Sequence, residues 1–150
     1  MFEQTILASF FNTSEGKFII DIMLAVVFGF IIGVERESRG KDAGVSTHIL
    51  VISGATLFTF LSSLVDPASK SRIAAQIVSG IGFLGAGLIL KDASSKVKNL
   101  TTAASVWFAG AIGMALGFDY HALACIATLV ALLVPRIPKF EHQSKPGSNK

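Results

Sequence analysis

The chain has 150 residues, a formal charge of +3, 51% hydrophobic residues and only 15% charged ones, against about 25% charged in a typical soluble domain. A domain of this size has too little interior to hide so much apolar surface, so neither a water-soluble globule nor a disordered chain fits. The basic residues lie in short clusters between apolar runs and form no stripe for nucleic acid.

Residues 1–17 carry Phe2, Ile6 and Phe10 at helical spacing. This suits either a short interfacial helix or a frayed leader. Glu3 and the missing small-residue cleavage motif argue against a cleavable signal. Five apolar stretches follow: Phe18–Val34, His48–Val65, Ile73–Leu90, Thr101–Gly117 and Phe118–Val134. None alternates polar with apolar positions, and backbone groups in lipid must be satisfied internally. The expected fold is therefore an all-α polytopic bundle, with five transmembrane helices over residues 18–140. The last two stretches run together for 34 residues, about 51 Å as one helix, far beyond a hydrocarbon layer of about 30 Å. Gly117 and Asp119 supply a stop and a start, so a tight hairpin is expected there. The tail at 141–150, polar with Pro and Gly, reads as disordered.

Charge orients the bundle. With the N-terminus outside, ten Lys and Arg fall inside and only Lys17, Lys70 and Arg72 fall outside. The tail is then cytoplasmic.

Glycine is abundant inside these stretches. Gly29 and Gly33, and Gly113 and Gly117, are small residues four apart, a spacing that lets helix backbones approach closely. They serve either packing within the chain or a homodimer face or sliding surface. Gly80, Gly82, Gly85 and Gly87 crowd the third stretch, making a thin, pliable or partly broken helix against which another helix packs. Their letters match a dinucleotide fingerprint, but no strand precedes them and no βαβ frame surrounds them, so a nucleotide site is rejected.

The polar residues within or beside the spans are the candidate functional groups. Asp21 is either an i,i+4 partner of Lys17 or a carboxylate at the mouth of a cation path. Glu35, Arg36, Arg39, Lys41 and Thr47 gather around the end of the first helix, a charge run that ordinarily forms a solvated loop. Gln76 and Ser79 share a face of the third helix. Thr101 and Thr102 either cap the fourth helix or hydrogen-bond with the Glu35 and Arg36 cluster, donating to the carboxylate and accepting from the guanidinium, with Ser105 one turn on. On the second alternative Glu35, but not Glu37, matters for stability. Trp107 lies deep in its stretch and is expected between helices. One cysteine, Cys125, excludes an internal disulfide. No nucleophile–base arrangement or zinc spacing stands out, so no enzyme is expected.

Three ordered segments resemble the signatures of the MgtC/SapB membrane family. These are Gly33-Val-Glu35-Arg36-Glu37 with Lys41–Gly44 and Thr47–Val51, then Gln76–Gly87, then Leu100–Trp107 continuing to Gly113. The resemblance implies a bacterial inner-membrane protein of adaptation to low magnesium or acid stress and of virulence, acting through contacts with other membrane proteins. The alternative it leaves open is an oligomeric channel or transporter for Mg2+ or protons. It implies no cofactor, with Mg2+ possible. The partners it implies are the lipid bilayer, a second copy in a homodimer, and another inner-membrane protein. Asp42 stands where the family usually has Pro, Ser46 where it often has Arg, and Asn99 where it often has Gly. The cytoplasmic C-terminal domain of longer members is not expected here.

Overall fold

A computed structural model describes residues 13–91 and 97–137. The segment before Thr13, Lys96 and the tail at 141–150 lie outside the described residues. Thr13 accepts a hydrogen bond from the Gly16 N–H at 3.1 Å and starts α1, Ser14–Ser38, with Glu15 in its electropositive first turn. This helix is about 38 Å long, ample for a hydrocarbon layer. It overruns the expected Phe18–Val34 at both ends, because Glu35 to Ser38 continue the helical hydrogen bonding instead of forming a loop.

Gly40, at φ 63, turns the chain toward α2, Val45–Val65. Gly44 has no side chain with which to cap α2, and Glu37 does so from the preceding helix: its Oε1 accepts the Val45 N–H at 2.9 Å. At the other end Ser62 Oγ donates to the Lys70 carbonyl at 2.6 Å, closing the turn into α3, Ser71–Leu88. A two-residue antiparallel ribbon, β1 (Leu90–Lys91) against β2 (Val97–Lys98), links α3 to α4, Leu100–Gly117. It is the one element the all-α reading omits. Asn99 precedes α4 in the left-handed conformation, φ 63, and makes no side-chain cap. The capping role open to Thr101 and Thr102 is therefore not taken up.

The expected break between the fourth and fifth helices is present, with its residues in different roles. Asp119, at φ 65, is the left-handed stop of α4, its N–H bonded to Leu116 O and that of Tyr120 to Ala115 O, both at 2.8 Å. It does not cap α5, His121–Leu133, whose N-cap is Tyr120. A single 3-10 turn, Val134–Arg136, follows.

Helices α1 to α4 are long and apolar enough to cross a membrane, and α5 is a shorter fifth apolar helix. One core joins Ala25, Phe28 and Ile32 of α1 to Ile52 of α2, Ile112 and Leu116 of α4 and Ala124 of α5. Glycines set the spacing. A methyl group at Gly29 would stand 2.6 Å from Ile49 Cα, and one at Gly117 would stand 2.6 Å from Thr56 O. Gly33 meets the Val45 backbone and Gly113 the Ile52 carbonyl in the same way. Side chains too large for such contacts point outward, as lipid allows: Met23, Leu50 and Phe83 are exposed. Trp107 joins them, nearly half exposed, and corrects the expectation that it packs between helices.

Candidate functional site

Polar groups collect at the two ends of the bundle. At the outer end Asp21 is 3% exposed, where a carboxylate needs a partner to offset lost hydration. That partner is His121, whose Nε2 lies 2.6 Å from Asp21 Oδ1. The ion pair with Lys17 weighed from the sequence is thus corrected: α5 carries the partner to Asp21 across the helix interface. Asp119 completes the group from the α4–α5 turn. A cavity of about 320 Å³, lined by Ser14, Lys17, Asp21, Lys70, Asp119 and Tyr120 among others, opens beside it.

At the inner end the last turns of α1 meet the starts of α2 and α4. Glu35 Oε1 is held by Arg39 Nη1 at 3.1 Å, and the same Nη1 donates to Pro135 O at 2.8 Å, which ties α1 to the turn after α5. Arg36 is almost wholly buried, because Gly29, Ile32 and Gly33 place that face of α1 against α2. His48 is buried at the start of α2, with Nδ1 2.9 Å from Gly44 O and Nε2 3.4 Å from Ser105 Oγ. Ser105 also donates to Thr102 O at 2.9 Å. Glu35 Oε2, Arg36 Nε and Nη2, and Thr102 Oγ1 are buried without a hydrogen-bond partner among the described residues.

The structure therefore brings Glu35, Arg36, Arg39, Thr102 and Ser105 to one end. It corrects the proposed tie between them, since no hydrogen bond joins Glu35 or Arg36 to Thr101 or Thr102 among the described residues. The Glu35 carboxylate turns to Arg39 instead, and Thr101 is exposed. Lys41 is exposed and Thr47 half-buried. Gln76 and Ser79 are both exposed, Gln76 on the side of α3 that borders α2. A methyl group at Gly80, Gly82 or Gly87 would meet nothing within 4 Å, while one at Gly85 would make ordinary contact with Ala103. Of these four glycines, Gly85 thus meets a helix of the chain itself, and Gly80, Gly82 and Gly87 are open. An apolar groove of about 460 Å³ runs between α2 and α3, past Gly54, Gln76 and Gly80.

His48, Asp119 and His121 were not among the candidates. The signal available for the last two was their place in the outer hairpin, at the same membrane face as Asp21. For His48 it was the helical step to the polar end of α1.

The model for the MgtC family matches residues 22–143. Protein MgtC of Salmonella typhimurium (strain LT2) is 43% identical over 115 residues, covering 77% of this chain and 49% of the relative. Protein MgtC of Brucella abortus is 44% identical over 126 residues, covering 80% and 52%. The Escherichia coli K12 protein named "Putative magnesium transporter YhiD" is 41% identical over 130 residues, covering 79% and 59%. The chain thus spans about half the length of the curated relatives it matches. No solved structure matches it significantly.

Proposed function

Because this chain belongs to the MgtC family, we propose that it is a non-enzymatic, multi-pass factor of the bacterial inner membrane in adaptation to scarce magnesium, working through contacts with other membrane proteins. The observation that carries this reading is the closed middle of the bundle. Asp21 and Glu35 lie fourteen residues apart on α1, about 21 Å along the axis. Between these polar ends Ala25, Phe28, Ile32, Ile52, Ile112 and Leu116 pack as one apolar core. Such a layer supports a reading in which no hydrated cation passes through a single protomer. The open glycines of α3 supply a surface on which another membrane helix packs closely.

One observation favours a second reading, an oligomeric carrier of Mg2+ or protons. Gln76 and Ser79 are polar yet exposed, and several copies arranged around α3 would turn them onto a shared path. The relative named as a magnesium transporter agrees with this alternative. Mg2+ and H+ flux into liposomes holding the purified protein separates the two. The regulator reading expects no flux above empty liposomes from folded protein, and loss of growth at low magnesium on Gly82→Leu. Flux that Gln76→Leu abolishes overturns it in favour of the carrier.

A further inference from the structure

We infer that the outer end of the bundle is a binding site for a first-row transition-metal dication of the Zn2+ type, held by Asp21, Asp119 and His121. These residues come from α1, from the turn after α4 and from the start of α5, so only the folded bundle assembles them. Each offers one ligand atom, and the three atoms lie within 4.8 Å of one another. Two carboxylates at that range repel, and a cation between them removes the repulsion.

The second observation is the state of Asp21. Its side chain is buried to more than nine-tenths and lines the outer cavity. Among the described residues only its Oδ1 is engaged, by His121, and the other oxygen accepts no hydrogen bond. A carboxylate oxygen without a partner, on the wall of a polar cavity, is an available metal ligand. The cavity supplies the fourth position, which water fills, as in zinc sites with three protein ligands.

The donor set chooses the ion. An imidazole nitrogen with two carboxylates suits Zn2+ and its neighbours, whereas Mg2+ wants octahedral oxygen ligation and keeps its waters. Tetrahedral ligation spaces ligand atoms about 3.3 Å apart. Binding therefore spreads the 2.6 Å Asp21–His121 contact slightly and takes the place of the hydrogen bond there. Lys17 and Lys70 line the same cavity and oppose a cation, so both carboxylates are required to hold it.

The test is titration of tag-free, full-length protein in detergent with Co2+, followed by its visible d–d absorption, then competition with Zn2+ and with Mg2+. Asp119→Asn is the informative variant, because Asn tolerates the left-handed backbone at φ 65 and the residue is exposed. Thermal melting without metal verifies that this variant and His121→Gln are folded. Expected are one Co2+ per chain, displacement by Zn2+ but not by a thousand-fold excess of Mg2+, and at least ten-fold weaker binding in each variant. Absence of Co2+ binding overturns the site. So does binding unchanged in both variants, which would place the ion elsewhere, or displacement by equimolar Mg2+, which would reject the assigned ion class.

Discussion

Asn99 donates from Nδ2 to Asp42 Oδ2 at 2.5 Å, joining the turn after α1 to the residue before α4. The resemblance drawn from the sequence expects Pro at position 42 and often Gly at position 99, where this chain has Asp and Asn. The two departures thus meet in space. Asn99 also occupies φ 63, a conformation glycine adopts freely and asparagine tolerates better than other residues. Asn99→Ala is therefore expected to destabilise the bundle by about 1 kcal/mol, and Asn99→Gly by less. Thermal melting in one detergent compares them, and equal losses would remove the backbone argument.

The glycines divide by what surrounds them. A methyl group at Gly29, Gly113 or Gly117 would collide with neighbouring backbone, whereas at Gly80 or Gly87 it would enter open space. Overpacking of this kind costs about 1–3 kcal/mol. Gly113→Ala is expected to lower the melting temperature markedly. Gly87→Ala leaves it unchanged or raises it, since alanine favours the helix by up to about 1 kcal/mol. The same ranking in both variants would show that α4 does not lie on α2 as closely as described.

Glu37 carries a role that its place in a charge run conceals. Its Oε1 caps α2 through the Val45 N–H, and loss of a helix cap costs about 1 kcal/mol. Glu37→Ala is expected to destabilise the protein by that amount, with Glu37→Gln retaining most of the cap. The sequence-based expectation that Glu37 is dispensable is overturned if Ala shows the loss and upheld if it melts like the parent.

The spans were legible because each is an apolar run bounded by charge or glycine, a pattern that lipid imposes wherever the helices lie. The ends of α1 were less so. Glu35 to Ser38 read as loop by polarity, yet their backbone bonds are those of a helix that simply outruns the membrane. The Asp21–His121 pair was invisible because 100 residues separate the partners and periodicity within one helix reports nothing about its neighbour. Asp119 misled in another way: Asp before a helix ordinarily caps it, while here it stops the previous one. The partnering of the glycines was equally hidden, since Gly82 and Gly113 look alike in sequence and differ only in what stands opposite.

Arg36 offers a separation of stability from function. Its guanidinium is almost wholly buried, with Nε and Nη2 unpartnered, while Glu35 spends its Oε1 on Arg39. Buried charge so poorly paired contributes little to folding, and replacing such groups by well-packed apolar ones is often neutral or stabilising by about 1–4 kcal/mol. Arg36→Met, which keeps the length of the stem, is therefore expected to melt at or above the parent temperature. If the charge is retained for function, the same variant fails to restore growth at low magnesium when it replaces the parent gene. A loss of about 3 kcal/mol or more would instead mean that water already satisfies the guanidinium and that Arg36 holds the inner end together.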